Sequence, residues 1–227
     1  MSARRITLLL LLAVVIVGSA LLFQHQTAVA ARPVIEKQAP TQADRTFDPA
    51  APPADMPPFS PGELAVCDSD FQSSAGVAGE LVRTDATHGI VTITRVTVRL
   101  HLSTTIWVPV NADQRVIEHE RGHRQISEHF YAGADGLAMQ IAAGYLGQHL
   151  SVSGANLEME YTKALQDAGT EITKEFSEKL GVAAAQERYD ELTDHSRNDV
   201  AAADAIAEVL KNSTSSAAGN LNGGSKQ

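Results

Sequence analysis

A single cysteine, Cys67, stands in a chain of 227 residues. It cannot form a disulfide within the chain, and it excludes a metal site built from several thiolates. The expected place for a lone thiol is the interior, as a small apolar side chain. Basic residues are also short: 18 Lys and Arg against 27 Asp and Glu leave a net charge of -9. Such a chain lacks the positive footprint of a nucleic-acid binder, so that class is set aside. Proline is almost confined to one stretch, with eight of nine between Pro33 and Pro61. Internal repeats are lacking, which excludes solenoids and propellers.

Only one long apolar run exists, from Ile6 to Phe23, preceded by Arg4 and Arg5 and followed by Ala28-Val29-Ala30. A basic start, an apolar core and an A-x-A site describe a secretory signal over residues 1–30. The run is also close to the length of a membrane span, so an uncleaved N-terminal anchor is the alternative. Either reading places the rest of the chain outside the cytoplasm, periplasmic or secreted, with a membrane tether in the second case. Losing Arg4 and Arg5 with the signal takes the charge from -9 to -11.

Residues 31–61, rich in Pro, Ala, Asp and Gln, read as an extended, disordered linker. Residues 212–227, made of Asn, Ser, Gly and Ala with few apolar side chains, read as a disordered tail. Between them, 62–211 forms the folded domain. From Ile90 to Val110 the chain is rich in β-branched residues, and Val96, Val98, Leu100 and Leu102 alternate with Thr97, Arg99, His101 and Ser103. That period of two predicts a half-buried strand, with Ala78 to Thr84 as a partner.

A helix follows, with Asn111 as N-cap and Gln114 three residues on. Val116, His119, His123, Ile126, Phe130 and Leu137 share one side of it, and Glu118, Arg121, Arg124, Gln125 and Glu128 the other. Further helices are expected over Leu157–Leu180, with a kink at Gly181, then Ala183–Thr193 and Asp199–Leu210. Strands first and helices after make an α+β fold: a small antiparallel sheet, a site-bearing helix and further long helices.

Residues 119–123 read His-Glu-Arg-Gly-His. Four residues turn a helix by about 400°, so His119 and His123 stand on one face about one turn apart. Two imidazoles so placed suit one zinc ion, and Glu120, on the flank, suits a general base toward water. On residue chemistry alone, the third ligand stays open among His129, Glu158, Glu160 and His195. His129 falls about 120° round the helix from His123, and the two glutamates sit in a carboxylate-rich helix.

His119 to His123, followed by Ile126 and Glu128, resembles the active-site helix of a bacterial family of predicted secreted zinc-dependent proteases. That family's second motif, Tyr-Asp-x-x-Thr-x-His, is matched by Tyr189, Asp190, Thr193 and His195. The resemblance spans roughly Arg83 to Leu210 and departs at Ser196, where the family has Gly. It implies a zincin-like fold with one zinc ion per chain, held by His119, His123 and His195. Glu120 is then the base, Tyr189 a donor to the oxyanion, and Asp190 a residue that orients a ligand ring.

The activity implied is that of a zinc metallopeptidase acting on peptide or protein, with the strand Arg99–Trp107 offering an edge to the substrate. Two alternatives stand beside it: a zinc amidase acting on cell-wall peptides, and a non-catalytic extracytoplasmic zinc-binding or scaffold protein.

Overall fold

The long alternating strand is the spine of the molecule. In the computed structural model, which describes residues 32–59 and 62–220 with 212–220 as backbone, it runs from His88 to Pro109. The elements in chain order are β1 (Val34–Lys37), β2 (Thr41–Phe47), β3 (Val66–Arg83), β4 (His88–Pro109), α1 (Gln114–Tyr145), β5 (His149–Ser153), α2 (Leu157–Leu180), α3 (Val182–Thr193) and α4 (Ala202–Asn220). The expected signal, 1–30, lies outside the described residues. Among those described, no helix is long and apolar enough to cross a membrane.

β3 pairs antiparallel along nearly the whole of β4, from Val66 against Trp107 to Arg83 against Gly89. The other edge of β4 is shared by β5, β1 and β2 in turn. Val91 and Ile93 are buried at odd positions, and Val96, Val98, Leu100 and Leu102 at even ones. The register shift opposite Ala78 and Gly79 reconciles the two: one extra β4 residue lets both sets face the same side of the sheet. That face packs against Tyr131, Ala134, Ala138 and Ile141 of α1 and Ile172 and Phe176 of α2. Each fully buried Val or Leu there contributes roughly 1.5–3 kcal/mol through removal from water.

Several expectations need correction. The sheet is mixed rather than antiparallel, because β1 and β2 run parallel to β4. Both lie within 31–61, so that stretch is not a structureless linker, and the compact unit begins at Pro33 rather than at residue 62. The prolines do not prevent this, since Pro33, Pro40 and Pro49 fall outside the two strands. Polar contacts with α1 hold the strands down. Lys37 Nζ donates to Ala132 O at 2.8 Å, Arg124 to Ala43 O at 2.7 Å, and the Tyr131 hydroxyl to Gln38 O at 2.7 Å. With β3 on one side and β1 and β2 on the other, residues 99–107 offer no long free edge to a peptide.

The helix caps and ends make up the other corrections. Asp113, not Asn111, caps α1, its side chain accepting from Arg115 N at 2.9 Å. Asn111 instead takes φ 74 and turns the chain out of β4. α4 starts at Ala202 and continues to Asn220, so residues 212–220 of the expected tail are helical. The Ala- and Ser-bearing run contains no proline to stop a helix before Gly219. Gly181 at φ 72 ends α2 and lets α3 start in a new direction.

Candidate metal centre

Three atoms meet between the first turns of α1 and the end of α3. His119 Nε2 and His123 Nε2 are 3.1 Å apart, and Asp190 Oδ1 lies 3.3 Å from the first and 2.9 Å from the second. Neighbouring ligands of a tetrahedral ion with bonds of 2.0–2.1 Å lie about 3.3 Å apart. His119, His123 and Asp190 therefore form a group that could hold a metal ion. Asp190 Oδ1 is buried without a hydrogen bond, although both rings stand close to it. A buried carboxylate oxygen in that position suits a cation.

The ring of His119 is oriented from behind. Thr193 Oγ1 donates to Tyr189 O at 2.8 Å and lies 3.2 Å from His119 Nδ1. Its proton being spent on a carbonyl, the hydroxyl can only accept, so Nδ1 carries the hydrogen and Nε2 presents a lone pair.

Charge is distributed unevenly over the group. Burial lowers the pKa of His119, with the neighbouring histidines adding to the effect and Asp190 opposing it. Burial works against charge on His123 too, but its contacts with Asp190 outweigh this and raise its pKa. Asp190 is held well below the usual carboxylate range, the two rings overcoming the cost of burial. Asp190 thus favours positive charge at the group, whether as a proton on His123 or as a cation.

The raised affinity of His123 for its proton has a measurable consequence. A metal must displace that proton, so metal affinity should rise with pH and uptake should release protons. Calorimetry in buffers of different ionisation enthalpy measures this. Uptake without proton release would contradict the charge assignment.

Glu120 is buried beside the group. Burial pushes its carboxyl up to about 7, with the charges of Glu63 and Asp190 adding and His123 and the Cys67 N–H opposing. Cys67 itself is half-buried, its Sγ 3.7 Å from Ser69 Oγ, and burial pushes its thiol up to about 12.

His195, the expected third ligand, stands one step back. Its Nδ1 is 3.5 Å from Asp190 Oδ1 and 3.8 Å from Glu63 Oε1, and makes no hydrogen bond. Asp190 takes the place in the triangle that the resemblance gives to His195. Asp194, His195 and Ser196 turn through φ 47, 51 and 67 in succession. Ser196 thus adopts the left-handed backbone that a glycine would favour there, at a cost of roughly 1–2 kcal/mol per residue. Asn198 steadies the turn by donating to Leu192 O at 2.8 Å. His129 and Glu158 are exposed, Glu158 paired with Arg83, and neither they nor Glu160 join the group.

Tyr189 is fully buried, stacked on His119 with ring centres 5.0 Å apart, and its hydroxyl donates to His119 O at 3.3 Å. The expected oxyanion donor is therefore turned into the protein. Its neighbour explains the glycine of the motif: a Cβ on Gly122 would stand 2.1 Å from the Tyr189 hydroxyl oxygen. Gly122→Ala should cost about 1–3 kcal/mol through overpacking, whereas Tyr189→Phe should cost about 1 kcal/mol. Thermal unfolding of both variants measures this. A loss of turnover of a hundredfold or more in Tyr189→Phe would restore the oxyanion role.

Gln186, Thr193 and Glu63 were not singled out for roles by the sequence. Gln186, Tyr189, Asp190 and Thr193 share one face of α3 at spacings of three, four and seven, a pattern visible once α3 is docked on the motif. Glu63 comes from the loop before β3 and carries no local signal. The chain matches no protein-family model, no curated protein and no solved structure.

Proposed function

We propose that this protein is an extracytoplasmic zinc-dependent hydrolase of the peptidase type, zincin-like in its site-bearing helix. The observation that carries the reading is the triangle of His119 Nε2, His123 Nε2 and Asp190 Oδ1, with buried Glu120 alongside. Zinc suits two imidazoles and a carboxylate, and when bound it supplies a Lewis acid and lowers the pKa of water.

The remaining steps belong to the chain's own side chains. His119 and His123, anchored on consecutive turns of α1, hold the ion with Asp190 from α3. Glu120 takes the proton of the attacking water and passes it to the leaving amine. Its carboxyl, tuned by burial to about 7, suits both transfers. His195, whose buried Nδ1 stands 3.5 Å from Asp190 Oδ1 and 3.8 Å from Glu63 Oε1, backs the carboxylate from outside the triangle. The signal pattern of residues 1–30 supports action outside the cytoplasm, and the resemblance of the two motifs supports a peptide bond as target.

Elemental analysis of the purified protein, joined to a casein-hydrolysis assay before and after chelation, tests this. One zinc per chain is expected, with activity lost to the chelator and restored by zinc. Protein that takes up no metal, or hydrolysis indifferent to chelation, would remove the reading.

A further inference from the structure

His123 needs its lone pair on Nε2, and the arrangement around Nδ1 bears on this. Gln186, one turn before Asp190 on α3, makes three contacts there. Its Nε2 lies 3.0 Å from His123 O and 2.8 Å from Ser127 Oγ, and its Oε1 lies 2.6 Å from His123 Nδ1. A backbone carbonyl can only accept, so the Gln186 atom facing it is the nitrogen, and the amide orientation is settled. The oxygen then faces Nδ1 and can only accept in turn, so Nδ1 carries the hydrogen. Ser127 is buried one turn further along α1, and its hydroxyl donates to Ser69 Oγ at 2.9 Å, leaving its lone pairs to the amide.

We propose that Gln186 is the positioning residue of this site: held by His123 O and by the Ser69–Ser127 pair, it keeps hydrogen on His123 Nδ1 and aims Nε2 at the metal. The inference rests on the zinc reading above. It makes the two histidines differ in kind. His119 is oriented by a hydroxyl within α3, whereas His123 is oriented through a path that runs from β3 through α1 to α3. The sheet edge near Ser69 is thereby tied to the setting of one ligand.

Gln186→Met keeps the length of the side chain and removes both polar ends. In the full chain it should weaken zinc binding by about 10- to 100-fold, measured by competition with a chelator. Nitrogen-labelled histidine supplies a readout that needs no metal: exchange of the His123 Nδ1 hydrogen with solvent. That exchange should quicken at least about tenfold in Gln186→Met, as expected when a buried hydrogen bond worth about 1.4 kcal/mol is lost, while that of His119 Nδ1, held by Thr193, stays as it was.

Ser127→Ala, a milder change, should move both readouts in the same direction by several-fold, and it decides the matter if Gln186→Met does not fold. Unchanged exchange at His123, or zinc affinity within twofold of the parent, would overturn the proposal. Failure of the parent protein to bind zinc would remove the hydrolase reading instead, and the exchange measurement would still decide the role of Gln186.

Discussion

Replacing Glu120 with Gln should reduce peptide hydrolysis by roughly a hundred- to ten-thousandfold, the usual contribution of a general base, while leaving the zinc content at that of the parent. The amide is nearly isosteric with the acid, so the packing around a buried side chain is kept. What it loses is the ability to take a proton. Burial has raised the Glu120 carboxyl to about 7, and an amide in the same surroundings has no corresponding equilibrium.

Glu120 is not a member of the metal triangle, which is why binding and turnover should separate. The check is a pair of measurements on one preparation: metal by elemental analysis, and initial rates on casein. Full activity in Glu120→Gln would exclude the mechanism even if zinc were present. Loss of zinc together with activity would mean that Glu120 supports the site rather than acting in it.

The parts of the molecule that sequence made legible are those in which one element carries its own pattern. β4 alternates because one of its faces is buried, and α2 matches its expected span because a left-handed Gly181 closes it. β1 and β2 have no such pattern. β2 buries only Phe47 fully, and both strands are held by backbone pairing to β4 and by side chains of α1 that lie some 80 to 98 residues away in sequence. Their order is a property of the partner, which a local reading cannot contain. Composition misleads for the same reason: a count of prolines does not show that Pro33, Pro40 and Pro49 lie outside the strands.

The candidate site divides along the same line. His119, Glu120 and His123 follow from helical geometry alone, being three residues of one helix. The carboxylate that completes the group depends on how α3 crosses α1, and that crossing depends on Tyr189 fitting against Gly122. Once Tyr189 is buried there, the next residue, Asp190, is carried to the two imidazoles. His195, at the end of the left-handed turn, reaches Asp190 rather than the ring nitrogens. The motif resemblance makes His195 the ligand and Asp190 its support; the backbone between them brings Asp190 to the two rings instead.

That separation gives the second large effect. Asp190→Asn keeps the size of the side chain and removes its charge from beside two buried rings. Removing one partner of a buried charged group costs about 3–5 kcal/mol, or roughly a hundred- to a thousandfold and more in affinity. Zinc binding should fall by that much. His195→Ala should leave zinc affinity within a few-fold of the parent, since His195 Nδ1 touches Asp190 from outside a triangle that stays intact.

Both variants are to be titrated with zinc against a competing chelator and assayed on casein. The reverse result, with zinc lost in His195→Ala and kept in Asp190→Asn, would make His195 the third ligand and Asp190 the residue that orients it. The 3.5 Å between His195 Nδ1 and Asp190 Oδ1 would then be a ligand in contact with its support. Loss of zinc in both variants would mean four protein ligands and a closed coordination sphere. A closed sphere belongs to structural zinc and leaves no position for a substrate, so that outcome would favour the non-catalytic zinc-binding protein over the hydrolase.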